Sequence, residues 1–337
     1  MAKRATKRPI KAKSKLKGKT GPARRKVGAK AAAKASTKAS TRASTRARAA
    51  SRKPARTPAG RTGRGANPLA RLDGPLVLAG AGKMGGAMLE GWLARGLPTR
   101  RVVVIDPQPG KPVRALARKG ARINPRGALG PAAVLIVAVK PQVAAEVLPT
   151  LAHLVGPKTL VVSIMAGKPL SFMEGILPAS PLVRAMPNTP AAIGRGMTVA
   201  VGNEHVSPAA RRLADALLSA TGAVEWVDDE SLMDAVTAVS GSGPAYVFLL
   251  AEAMARAGVA AGLPEGLARI LAETTVAGSG ELLRVSGIDA ATLRQNVTSP
   301  GGTTAAALSV LMKADGLDPL VAEAVAAAAH RSRELAG

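Results

Sequence analysis

No cysteine occurs in this 337-residue chain. Disulfides, thiolate metal sites and a cysteine nucleophile are thereby excluded, and the composition suits a reducing compartment. Strongly apolar runs are short. "AAVLIVAV" at 132–139 is among the longest, well below the span of a bilayer, and no apolar segment follows the N-terminal charges as a secretory signal requires. These absences predict a soluble, cytoplasmic protein with no membrane partner. Histidine is scarce as well, with only His153, His205 and His330, and no metal site is expected.

Acid is missing from one end. Residues 1–66 contain no Asp or Glu, the first being Asp73, yet they hold 23 of the 48 Lys and Arg. The remainder carries 25 basic and 21 acidic residues and is nearly balanced at +4, so the net charge of +27 belongs mostly to the tail. Within "KAAAKASTKASTRASTRAR" the residues Lys30, Lys34, Lys38, Arg42 and Arg46 recur every fourth position. On a helix such like charges repel, and no apolar face exists to dock, so residues 1–68 read as a disordered basic tail. It resembles lysine- and alanine-rich tails of linker-histone type. Non-specific binding of nucleic acid or another polyanion through counterion release is the functional reading. The lack of aromatics argues against stacking on single strands. A transit peptide, or a true start near Leu69, Leu72 or Val77, are the competing readings.

Beyond the tail, "PLVLAGAGKMGGAMLEGWLARGLP" gives a short apolar strand, then Gly80, Ala81, Gly82, Lys83, Met84 and Gly85 in GxGxxG spacing, then an amphipathic helix. A second strand, "RRVVVID", ends at Asp106, 21 residues after Gly85. Strand, glycine turn, helix, strand and terminal acid form the full context of a dinucleotide site. Gly80 serves the tight turn, Gly82 admits the pyrophosphate, and Gly85 lets the helix approach the sheet. Asp106 is placed to accept from the adenosine ribose and to repel a 2′-phosphate, which favours NAD, while Lys111 and Arg114 nearby keep NADP open. Further strands end at "AVKPQ", "SIMAG" and "AMPNTP". Ligands bind at the carboxyl ends of such strands, so Ala138, Lys140, Pro141, Met165 and Asn188 are expected around one crevice.

From Asp229 onward only helical patterns follow, several of them apolar over much of their surface, as a subunit interface would be. Two glycine breaks interrupt them. "AVSGSGPAY" sets Ser240 and Ser242 before a helix that Pro244 can begin. In "TSPGGTTAAAL", Pro300, Gly301 and Gly302 end one helix and Thr303 and Thr304 open another. The unpaired N–H groups and two hydroxyls there can hold a small anion, or a threonine can simply cap the helix.

The segments "GAGKMG", "VAVKPQ", "MPNTP", "DAVTAVSGSGPAY" and "SPGGTTAAAL", in this order over about residues 75–335, resemble the Δ1-pyrroline-5-carboxylate reductase family. The resemblance implies an α/β fold, with a Rossmann NAD(P)-binding domain at 72–228 followed by an all-helical dimerisation and substrate domain at 229–337. It implies hydride transfer from NADH or NADPH to the cyclic imine, giving proline, in a homo-oligomer that is a dimer or a ring of dimers. It further implies that Ser242, Gly302, Thr303 and Thr304 hold the substrate carboxylate, with Glu230 at the pocket edge, and that Thr303 or Ser242 orients the proton donor. Two features depart from the family. "GSGELLRVSGIDAATLRQNV" lacks the His-Pro often found before the last loop, and the basic tail has no counterpart. A β-hydroxyacid dehydrogenase would place a catalytic Lys in the helix "DDESLMDAVTAVSGSG", which contains none. A nucleoid-binding protein using the fold as a dimeric scaffold is the rival from another class.

Overall fold

The computed structural model of the protein describes residues 67–336. The expected tail, apart from Asn67 and Pro68, lies outside the described residues. Folded structure begins at once: the Asn67 amide donates to the Arg95 carbonyl, its oxygen accepts from the Leu69 N–H, and Leu69 is buried in the core.

β1 (Leu76–Ala79) passes through the glycine turn into α1 (Lys83–Ala94), followed by β2 (Val102–Ile105), α2 (Lys111–Ala115), β3 (Arg122–Ile123), β4 (Val134–Val137) and α3 (Ala144–Leu151). Next come β5 (Leu160–Ser163), α4 (Leu170–Glu174), β6 (Leu182–Pro187), β7 (Gly196–Gly202), α5 (Pro208–Leu218) and β8 (Gly222–Trp226). They build one eight-stranded sheet in the order β3-β2-β1-β4-β5-β6-β7-β8. Strands β1 to β6 are parallel, β7 returns antiparallel to β6, and β8 pairs parallel with β7.

The central strands are continuous Val, Leu and Ile runs because both faces of the sheet are covered. Side chains alternate between the faces. Leu76 and Leu78 of β1 meet Met88, Leu89 and Trp92 of α1 and Leu217 of α5. Val77 and Ala79 meet Leu148 and Leu151 of α3 and Met173 of α4. The Trp92 indole is fully buried and donates to the Leu217 carbonyl at 2.8 Å, which ties α1 to α5 and satisfies a donor that burial would otherwise leave unpaired.

After Asp229 the described chain is helical: α6 (Met233–Val236), a π turn (Thr237–Gly241), α7 (Gly243–Ala260), α8 (Glu265–Ser286), α9 (Ala290–Asn296), α10 (Thr303–Leu311) and α11 (Leu317–Ala336). α7 and α8 pack along each other, yet α7 buries no residue and α8 buries only Ala268 and Ala272. Phe248, Leu249, Leu250, Ile270 and Leu282 are all at least half exposed. A groove of about 710 Å³ lies between the two helices, with Phe248 and Val259 beside Glu252, Arg256, Arg269 and Glu273. α9 and α10 make no extensive contact with any other helix or strand of the described chain. α11 does the opposite and returns to the sheet domain. It packs on α6 and the π turn, Ser332 donates to the Asp234 carboxylate at 2.6 Å, and Leu335 lies against Gly167. Among the described residues no helix is long and apolar enough to cross a membrane.

Candidate active site

The glycine turn sits between the carboxyl ends of β1, β2 and β4. The Gly80 N–H donates to the Ile105 carbonyl and the Ala138 N–H to the Ala79 carbonyl, so the ends of the three strands are bonded to one another. Gly80 has φ +89, and a Cβ there would lie 2.6 Å from the Ala138 carbonyl oxygen. Handedness and close approach therefore both demand glycine. A Cβ on Gly82 would meet nothing within 4 Å. That open space lies over the first turn of α1, whose N-cap is Gly82 and whose first residues are Lys83, Met84 and Gly85. Their N–H groups have no partner within the helix, and with the helix dipole they suit a pyrophosphate. The cradle fits a dinucleotide.

Asp106 stands at the end of β2, beside that turn. One carboxylate oxygen accepts from the Ala81 N–H at 2.6 Å and the other from the Gln108 N–H at 2.7 Å. Its backbone is held on both sides by Asn124, whose oxygen accepts from the Asp106 N–H while its amide donates to the Asp106 carbonyl. Asn124 adopts φ 45, the only positive value outside glycine among the described residues. Lys140 and Pro141 follow β4, and Lys140 is exposed. Met165 differs from its neighbours: its side chain is buried in the apolar cluster under the sheet instead of facing open space.

The second half of the site lies around the π turn. Ser242 is the N-cap of α7, and its hydroxyl makes no capping bond. Asn188, just past β6, accepts from the Met197 N–H of β7 at 2.9 Å and donates to the Ser240 carbonyl at 3.2 Å. The Ser242 turn is thereby joined to the carboxyl edge of the sheet. Glu230 lies at the same junction. Its Oε1 accepts from Arg184 of β6 at 2.8 Å and from the Leu170 N–H at 2.9 Å, while Oε2 has no partner among the described residues. Arg184 is almost wholly buried, so this ion pair holds a charge that would be costly alone.

α10 begins as the sequence predicts, at Thr303, with Gly302 as its N-cap and Gly301 at φ +69. Neither threonine caps the helix by its side chain. The capping alternative therefore leaves both hydroxyls unexplained. One chain does not bring Thr303 and Thr304 into extensive contact with Ser242 or with the glycine turn. The structure thus gathers Gly80 to Gly85, Asp106 and Ala138 in one place, and Asn188, Ser240, Ser242 and Glu230 at an adjoining junction. Gly302 to Thr304 stand apart. Arg184 and Asn124 were invisible to sequence reasoning, because each acts through a partner far along the chain and neither belongs to a motif.

Comparison with known proteins follows the same division. A family model for pyrroline-5-carboxylate reductase dimerisation matches residues 230–335, and one for coenzyme F420-dependent NADP oxidoreductases matches residues 76–167. A pyrroline-5-carboxylate reductase of Pseudomonas aeruginosa is 41% identical over 265 residues, 77% of this chain and 96% of the relative. One from Synechocystis is 43% identical over 74% of this chain and 96% of the relative. The solved pyrroline-5-carboxylate reductase of Coxiella burnetii superposes with a TM-score of 0.72 at 34% identity, over 78% of this chain and 99% of that one. The Plasmodium falciparum pyrroline carboxylate reductase, solved with NADP bound, gives 0.65 at 27% identity, over 79% and 99%.

Proposed function

The chain belongs to the pyrroline-5-carboxylate reductase family, and from that premise we infer how its residues carry the reaction. It is an NAD(P)-dependent oxidoreductase of proline biosynthesis that reduces the cyclic imine Δ1-pyrroline-5-carboxylate. The observation that carries the assignment of residues is the pair of helix openings, at Ser242 and Thr303, whose hydroxyls are spent on no cap.

The dinucleotide, when bound, supplies the hydride. Gly80, Ala81, Gly82, Lys83, Met84 and Gly85 would cradle its pyrophosphate, Asp106 would accept from its adenosine ribose, and Ala138, Lys140, Pro141 and Asn188 would border the crevice beyond, whereas the Met165 side chain, buried under the sheet, would not. Ser242, Gly302, Thr303 and Thr304 hold the substrate carboxylate by hydroxyl and backbone donors at helix N-termini. Oε2 of Glu230 is free to accept from the ring N–H, and the Arg184 bond fixes the carboxylate that carries it. A protonated imine is already electrophilic, and its proton is present before reduction. The residues have to place two reactants and have no strong acid to provide, in keeping with a site that contains no histidine.

Since Gly302 to Thr304 stand apart from Ser242 within one chain, the carboxylate site is completed between chains, which makes the working form a homo-oligomer built on the helical domain at 229–337. A cytoplasmic location fits the lack of cysteine. For the tail a separate role is inferred from composition alone: residues 1–66, with 23 positive charges and no acid, bind nucleic acid or another polyanion without sequence preference. The test of the main reading is direct. Purified protein with pyrroline-5-carboxylate should oxidise NADH or NADPH and form proline; a folded preparation that turns over with neither cofactor would refute the assignment.

A further inference from the structure

Ser240 carries a backbone carbonyl that its own helix leaves unpaired. In a regular helix this oxygen would accept from the N–H four residues on, but that residue is Pro244, which has none. The π turn over Thr237–Gly241 shifts the bonding by one residue: the Ser242 N–H reaches back to the Thr237 carbonyl at 2.8 Å, and the Ala245 N–H goes to the Ser242 carbonyl at 2.9 Å. Neither serves Ser240. A half-buried carbonyl without a donor costs free energy, so its partner is a structural requirement.

The partner comes from the sheet. The Asn188 amide donates to the Ser240 carbonyl at 3.2 Å and lies 3.4 Å from the Ser240 hydroxyl. Its oxygen is already fixed by the Met197 N–H at 2.9 Å, which orients the amide so that the nitrogen faces the π turn. The same contact is tight beside it, where a Cβ on Gly241 would lie 2.5 Å from the Met186 methyl. On the turn's other side the Tyr246 hydroxyl donates to the Ala238 carbonyl at 3.0 Å. Both functions of the Asn188 side chain are therefore used within the protein.

We propose that Asn188 is a positioning residue. By supplying the donor that Pro244 withholds from Ser240, it locks the Ser240–Ser242 turn to the carboxyl edge of β6 and so fixes where the Ser242 hydroxyl stands relative to the reacting crevice. This rests on the reading that Ser242 holds the substrate carboxylate. It gives the asparagine of "MPNTP" a task distinct from touching the dinucleotide, and it explains why a donor and an acceptor are both needed there.

Three variants of the full-length protein test it. Asn188→Ala removes both bonds without adding charge. Asn188→Asp keeps the acceptor for the Met197 N–H but replaces the donor to Ser240 by an oxygen. The loss common to both is the Ser240 bond, and one neutral hydrogen bond corresponds to about a three- to tenfold effect. Both variants should raise the imine KM by about that factor, with kcat changed less and with the NADH Kd, read by fluorescence, unaltered. Ser242→Ala, the third variant, should raise the imine KM more. If Ser242→Ala raises it while either Asn188 variant leaves it unchanged, the lock is overturned and the carboxylate reading survives. If Asn188→Ala lowers only the melting temperature, or weakens NADH instead of the imine, the residue is a structural staple or a cofactor contact and the proposal falls. An unchanged imine KM in Ser242→Ala overturns both.

Discussion

At the scale of single residues, the proposed ribose contact of Asp106 is the one to test. Its two oxygens are held by the Ala81 and Gln108 N–H groups, which keep the carboxylate at the end of β2 beside the glycine turn. Asp106→Ser removes that charge, and the NADPH to NADH ratio of kcat/KM should rise by about tenfold, or roughly 1.4 kcal/mol. An unchanged ratio in parallel initial-rate assays would mean that the carboxylate does not face the ribose. Thr303 gives the matching prediction for the other reactant. Loss of a hydroxyl bonded to a carboxylate costs about 1.5 to 3 kcal/mol, so Thr303→Val should lower kcat/KM for the imine by roughly ten- to a hundredfold and leave NADH binding intact. The glycines and Asp106 were legible in the sequence because the turn that needs them is local and its spacing is fixed by one strand, one turn and one helix. Arg184 and Asn188 were only partly so or not at all. Arg184 looked like one polar residue in an apolar strand, and its partner Glu230 lies 46 positions away. Asn188 was visible as a strand end, but its bond to Ser240 spans 52 positions.

Among the elements, the sheet was readable wherever strands are buried on both faces, since a run such as "AAVLIVAV" has no other use for so many Val, Leu and Ile side chains. The two edge strands were not. β3 is two residues long, and β8, "GAVEW", has no residue fully buried. Neither carries enough apolar signal to stand out from a loop. The helical half was legible as helices but not as an assembly, because among the described residues α7 and α8 pack along each other and leave most of their apolar side chains exposed. Phe248 is 62% exposed and borders the groove between them. Seating such a ring contributes about 2 to 3 kcal/mol, and a carboxylate there would have to be desolvated. Phe248→Asp should therefore weaken self-association by at least about a hundredfold, visible as a shift to monomer in sedimentation velocity, and activity should fall with it. Retention of the oligomer at micromolar concentration would exclude this face as the interface.

For the whole molecule, the sequence already separates two chemistries at about residue 67, and the described fold starts there with Asn67 and Leu69. Residues 1–66, rich in Lys, Arg, Ala, Ser and Thr, hold no apolar run that a core would need, so on deleting them kcat and KM should stay within about twofold. The full chain should bind duplex DNA of any sequence, with affinity falling steeply between about 50 and 200 mM salt, and the shortened chain should bind little. Equal anisotropy titrations for the two would show that the tail is not the binding module. The other end of the molecule has the opposite character. Because Ser332 reaches Asp234 and Leu335 rests on Gly167, the last helix closes contacts with segments translated long before it. During vectorial synthesis the sheet domain can collapse as it emerges, but the contacts that α11 adds to α6, the π turn and Gly167 have to wait for the final codons. A nascent chain stalled or cut before Leu317 would lack those closing contacts beside a bare apolar helical hairpin. Quality control in the cell would then meet it as a misfolded, aggregation-prone product and not as a half-active enzyme.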